Sequence, residues 1–156
     1  MQETYLLKNE GEVLIGCNAT YENFDHTDSS SITAEAKREG DYYLINGSKK
    51  IIACGINSDY FIISCKISNE KQNNGLSLII IPKFLKGNDV TKKLNIKDFN
   101  ADFKIIHFDN LKVPVENLLG EENQSLDYIF NQNLILSLSE SASSVSNAEL
   151  NLKATV

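Results

Sequence analysis

The sequence predicts a mainly β domain, an antiparallel barrel or sandwich, followed by one C-terminal helix. Three observations carry that prediction. Ser31 to Lys37 (SITAEAK) alternates, with Ile32, Ala34 and Ala36 on one face and Thr33, Glu35 and Lys37 on the other, the pattern of a half-buried strand. Short runs rich in β-branched and aromatic residues then recur at close spacing, without intervening helical periods. From Leu126 the period changes: Leu126, Phe130, Leu134, Leu138, Ala142 and Val145 fall three or four residues apart.

The elements follow in order. Arg38 to Asp41 (REGD) reads as a turn and Tyr42 to Ile45 (YYLI) as the next strand. Asn46-Gly47 reads as a hairpin turn, because both residues tolerate positive φ, and Lys49 to Cys54 (KKIIAC) as the returning strand. Asp59 to Ile67 (DYFIISCKI) and Leu76 to Pro82 (LSLIIIP) are strands joined by the polar loop SNEKQNNG. KFLKGND and LNIKDFNAD read as irregular connections, and FKIIHF and LKVP as two further strands. Ser125 is the expected N-cap of the helix. Six serines between 137 and 146 lower its propensity, so packing has to support it. The helix is expected to run to the last residue, which makes the chain read as a piece of something longer.

The chain has 156 residues, enough for one domain with a real core, and a formal net charge of −6. That charge argues against a nucleic acid partner, whose phosphates need clustered Lys and Arg. The lysines of SKK and TKK read as solvated strand ends. No apolar run is long enough to span a membrane and no signal peptide opens the chain, so a cytoplasmic location is expected. The three cysteines, Cys17, Cys54 and Cys65, are widely spaced in apolar runs and read as buried free thiols.

Local chemistry is sparse. FDHTDSSS gathers Asp25, His26, Asp28 and serines, but catalytic triads assemble from distant segments, and a polar loop is what these residue types favour. His107, alone in a strand, is expected to pack at the surface or rim of the sheet. No phosphate-binding loop, dinucleotide fingerprint or zinc motif is present.

Several segments together resemble the acyl-CoA dehydrogenase family. YLLKNEGEVLIGCNAT resembles its approach to the middle domain. REGDYYLINGSKKII resembles the run D-G-x-x-Y-x-I-N-G-x-K-x-W-I, and NNGLSLIIIPK the strand that follows. IIHFDNLKVPVENLLGEENQS is similar to L-x-F-x-D-V-x-V-P-x-E-N-L-L-G-E. The resemblance covers nearly the whole chain. It implies the tail of a preceding helical domain at 1–10, the middle β-barrel domain at 11–122, and the first helix of a C-terminal helical domain at 123–156.

The family oxidises the α–β bond of acyl thioesters with FAD, a glutamate taking the α proton while the β hydrogen leaves as hydride. The resemblance therefore implies FAD as cofactor, acyl-CoA or an acyl carrier protein as substrate partner, and a homo-oligomer. Its flavin-binding positions fall on Thr20, Tyr21, His26, Thr27, Ile51 and Ala53. Glu22, Asp28 and Lys49 match the family, and Thr27 keeps a hydroxyl where the family has serine. The rest depart from it. Tyr21 replaces a ring-bonding threonine, Asn23 a proline, and His26 a glycine that lets backbone N–H groups approach a pyrophosphate. Ile51 replaces the tryptophan packed on the flavin, and Ala53 a threonine or serine. Phe99, Ala101 and Phe103 fall on an Arg, Ser and Thr stretch, and Asn133 on an arginine. No glutamate matches the motif of the catalytic base, so no catalytic residue is assigned and this chain alone is expected to be inactive. The scaffold motifs persist while the cofactor motifs have changed, which implies a flavoprotein with a degenerate flavin pocket or one that has lost its flavin. The alternative is a non-catalytic scaffold or acyl-carrier-binding module.

Overall fold

The structure, a computed structural model, describes residues 14–22, 31–52, 57–68, 75–85, 88–89, 95–98 and 103–155. The chain divides into two compact units, Met1–Ser125 and Leu126–Val156.

The first unit is β structure. Strands β1 (Gly16–Ala19), β2 (Glu35–Glu39), β3 (Tyr42–Ile52), β4 (Tyr60–Ser68), β5 (Ser77–Pro82), β8 (Asn95–Asp98), β9 (Phe103–Pro114) and β10 (Leu118–Leu119) form one eight-stranded sheet. Its order is β10-β5-β4-β2-β3-β9-β8, with β1 also on β4. A short hairpin, β6 (Phe84–Leu85) and β7 (Asn88–Asp89), stands apart. The expected β class and C-terminal helix are both present. Among the described residues, however, the sheet is mixed and open, not a closed antiparallel barrel. β1 and β2 both run parallel to β4, because the chain passes along β4 twice in the same direction.

The alternation expected from Ile32 to Lys37 holds residue by residue: Ile32, Ala34 and Ala36 are buried and their neighbours exposed. The REGD turn joins β2 to β3 as a two-residue hairpin loop, with Gly40 at φ +59 in the first central position. The core is built from Tyr43, Ile45 and Ile51 of β3, Phe61 and Ile63 of β4, Ile79 and Ile81 of β5, and Ile106 and Val113 of β9. Each large apolar side chain so buried contributes about 1.5–3 kcal/mol.

The Asn46-Gly47 turn does not form. β3 runs straight through it as one 11-residue strand. The register with β9 shifts between Ile45 and Gly47, where Asp109 and Asn110 together oppose Asn46. The local preference read from the sequence is real but serves a bulge. Gly47 sits at φ +130, and a Cβ there would lie 2.7 Å from the Ala34 Cα. Asn46 Oδ1 accepts the Asn110 N–H at 2.8 Å, satisfying the bulged backbone. FKIIHF and LKVP are likewise one strand, β9, not two. The bulge shifts its inward positions from Ile106 and Phe108 to Leu111 and Val113. Part of LNIKDFNAD, expected to be irregular, is β8, paired with β9.

Beyond β10 a strap, residues 120–125, is fixed across the sheet. Glu122 Oε1 accepts the Tyr43 hydroxyl at 2.6 Å and Arg38 Nη1 at 3.2 Å. The Asn123 N–H donates to Ser77 Oγ at 2.7 Å, and the Ser125 N–H to the Leu76 carbonyl at 2.8 Å. Ser125 is fully buried, and its hydroxyl accepts the Leu78 N–H at 3.1 Å, so it serves β5 where the sequence reading expected a helix cap. The second unit is the helix α1 (Leu126–Thr155). Two of its serines, Ser141 and Ser144, return their hydroxyls to the carbonyls of Ser137 and Glu140, as serines within helices do. No described helix is long and apolar enough to cross a membrane.

Candidate functional site

The site lies where the edge of β4 changes partner. β1 pairs with Tyr60–Ile63 and β2 with Lys66–Ser68, which leaves Ser64 and Cys65 between them. Both flanks of the β1–β2 crossover approach this gap. Thr20 to Glu22 follow β1, and the Tyr21 carbonyl accepts the Lys50 N–H of β3 at 2.9 Å. Thr33 and Ala34 lead into β2, and the Ala34 carbonyl accepts the Lys66 N–H at 2.9 Å.

Lys49 enters from β3. The pleat places it on the inward face with Ile45 and Ile51, and its side chain is fully buried. This overturns the expectation of a solvated strand end. Its ammonium donates to Glu22 Oε1 at 2.8 Å, Ser64 Oγ at 3.0 Å and the Thr20 carbonyl at 3.4 Å, so all three of its protons have acceptors. Ser64 Oγ in turn donates to the Thr20 carbonyl at 2.6 Å. Glu22 is equally committed. Its Oε2 accepts the Thr33 N–H at 2.8 Å and the Thr33 hydroxyl at 2.7 Å, and its Oε1 the Ala34 N–H at 2.9 Å.

Burial raises the pKa of Glu22, but the Lys49 bond and charge and the Thr33 donors outweigh it and hold the carboxyl below its usual range. Burial pushes Lys49 below the usual lysine range, and Glu22 only partly offsets that. Beside them burial drives the Cys65 thiol up to about 12, with Lys49 opposing. Cys65 is therefore expected to stay unmodified by a thiol reagent at neutral pH until the sheet unfolds. Modification at the rate of an exposed thiol, read by mass spectrometry, would contradict this burial.

The six positions expected from the sequence are not equally placed. Thr20 and Tyr21 stand beside the Lys49–Glu22 pair. Thr20 Oγ1 is buried and has no hydrogen-bond partner among the described residues. Ile51 lies one pleat along from Lys49 and is 1% exposed. His26, Thr27 and Ala53 lie outside the described residues, as do Phe99 and Ala101. Of the positions that the resemblance assigns to FAD, three are described: Ile51 and Thr20 are buried and Tyr21 is half-buried.

Ser48 Oγ and His107 Nδ1 meet at 2.7 Å across β3 and β9, and His107 is half-buried. Among the described residues no group of His, Cys, Asp and Glu could hold a metal ion. The feature that sequence reasoning missed is the ion pair itself. Its signal was a lysine at an inward position of an alternating strand, together with two charged residues that both match one family.

No protein-family profile matches the chain. The chain is 30% identical over 106 residues to the mitochondrial isobutyryl-CoA dehydrogenase of Dictyostelium discoideum, a match spanning 67% of this chain and 26% of that protein. It is 34% identical over 126 residues to the short-chain specific acyl-CoA dehydrogenase of Clostridium acetobutylicum, spanning 79% of this chain and 33% of that one. Its fold matches the crystal structure of an acyl-CoA dehydrogenase from Geobacillus kaustophilus with a TM-score of 0.61 and 28% identity, over 78% of this chain and 32% of that one. The chain thus spans about a quarter to a third of the length of the relatives it matches. Sequence relatives and fold agree, and on that agreement the chain belongs to the acyl-CoA dehydrogenase family.

Proposed function

We propose that this chain is the middle β-domain, with the first helix that follows it, of an acyl-CoA dehydrogenase-like flavoprotein whose flavin pocket has degenerated. The observation that carries this reading is Ile51. It stands where the resemblance puts a ring-packing tryptophan, and it is closed into the core. The scaffold around it supports the same reading, since Glu22 and Lys49, both matching the family, remain paired. On this reading residues 1–10 are the tail of a helical domain, 11–122 the middle domain and 123–156 the start of the C-terminal helical domain. The parent works on acyl-CoA or an acyl carrier protein in the cytoplasm, as a homo-oligomer. The apolar residues exposed along α1, among them Phe130 and Leu138, support an assembled state.

Titrating the full-length parent with FAD tests the reading. Weak uptake is expected, and restoring the family residues (Tyr21→Thr, His26→Gly, Ile51→Trp, Ala53→Thr) is expected to tighten it by about tenfold or more, the scale of one aromatic contact and one hydrogen bond regained. Stoichiometric FAD retained by the unmodified parent through gel filtration would overturn the degenerate pocket. No uptake by either form favours the scaffold or carrier-binding alternative.

A further inference from the structure

We propose that Lys49 and Glu22 form a clasp that positions both flanks of the β1–β2 crossover, and that Lys49 is its positioning residue. The geometry is asymmetric in a way that an ordinary core ion pair is not. Lys49 holds the outgoing flank through the Thr20 carbonyl and the Glu22 carboxylate. Glu22 holds the returning flank through the backbone N–H groups of Thr33 and Ala34 and the Thr33 hydroxyl. One side chain on β3 thereby fixes, through a single carboxylate, two stretches of backbone 11 and 12 residues apart. Ser64, at the point where β4 changes partner, links the ammonium to the Thr20 carbonyl from the other side.

Beyond one backbone tie on the returning side, from the Lys66 N–H to the Ala34 carbonyl, the strand ladders stop short of these residues. β1 ends at Ala19 and β2 begins at Glu35, so the residues held by the clasp lie outside both strands. The backbone bond from Lys50 to the Tyr21 carbonyl adds one more tie on the outgoing side. The clasp itself stands on these distances. That the crossover it holds belongs to a cofactor-binding segment rests on the reading proposed above.

Amide hydrogen exchange on the full chain tests the clasp. In Lys49→Met, Glu22 loses the cation that orients it. The Thr33, Ala34 and Lys50 amides are then expected to exchange about tenfold faster or more, as when a charged hydrogen-bond partner is lost. The Ile63 and Ile79 amides, a hydrogen-bonded pair of the β4–β5 ladder, should keep most of their protection. If all amides lose protection by one common factor, Lys49 serves only global stability and the positioning role is wrong. Thr33→Val gives a second measurement if Lys49→Met does not fold, since Thr33 is exposed. Faster exchange confined to the Thr33 and Ala34 amides upholds the clasp, and unchanged exchange there overturns it. A double variant, Glu22→Leu with Lys49→Met, separates the two roles again. Ladder protection near the parent value with fast exchange at Thr33 and Ala34 supports positioning, while native exchange at all of these amides overturns it. None of these readouts needs flavin, so a failed FAD titration and a failed clasp are distinguishable.

Discussion

Replacing Glu22 by alanine is expected to lower the unfolding free energy by about 3–5 kcal/mol, because it strands a charge in the core. Lys49 has no exposed surface, and its remaining acceptors, Ser64 Oγ and the Thr20 carbonyl, carry no full charge to offset the ammonium. Removing both charges together, as Glu22→Leu with Lys49→Met, is expected to recover most of that loss, since neither desolvated ion remains. Urea denaturation of the parent, the single variant and the double variant checks both statements. A single variant within about 1 kcal/mol of the parent would mean that Lys49 escapes to solvent or gives up its proton, and that no charge is stranded.

The same pair sets an acid limit. The folded pKa of Glu22 lies below its unfolded value, so its contribution is complete above the unfolded value and is lost as the pH falls through the folded one. Lys49 adds a second slope at high pH. Its folded pKa also lies below the unfolded value, so the unfolded chain holds more protons across that interval and stability rises with pH through it.

Gly75→Ala is expected to cost about 3 kcal/mol or more, the upper range for forcing atoms into a packed site. A Cβ on Gly75 would collide with the carbonyl of Asn123. That neighbour is backbone, and it is held on several sides: Asn123 donates its N–H to Ser77, its side-chain oxygen accepts the Ile67 N–H at 3.4 Å, and Ser125 is bonded to Leu76 and Leu78. The strap cannot shift alone, so either β5 moves or these bonds open. Ser77→Ala, which removes one of them without adding volume, is expected to cost only about 1 kcal/mol. Thermal melts of the two variants compare these costs, and equal losses would show that the strap has room to yield.

The sequence was informative where a residue's role follows from its near neighbours. Ile32, Ala34 and Ala36 announce a buried face because alternation is a two-residue property, and the period of α1 is equally local. Asn46-Gly47 misleads for a physical reason. A turn and a bulge both need a residue with positive φ and a side chain that can serve backbone groups. Which of them forms depends on β9, far along the chain. Lys49 misleads in the complementary way. Taken alone it is a solvated lysine, and only the arrival of Glu22 from β1's exit makes its burial tolerable. The six positions proposed for flavin rest on family resemblance alone, since no property of Ile51 or Thr20 taken singly marks a binding site.

The parallel docking of β1 on β4 has a consequence for the order in which the protein is made. The first contacts of that pairing join Ile15 to Asp59, 44 residues apart, so β1 emerges from the ribosome long before its partner exists. At a synthesis rate of roughly 5–20 residues per second it waits for seconds, with its hydrogen-bonding edges unpaired. β2 and β3 meet no such delay, because their hairpin closes through two residues. In order of synthesis the hairpin is available first, and β1 can dock only once β4 has been made. A β1 of only four residues, GCNA, with a polar asparagine near its centre, suits that wait, since it presents little for another chain to pair with.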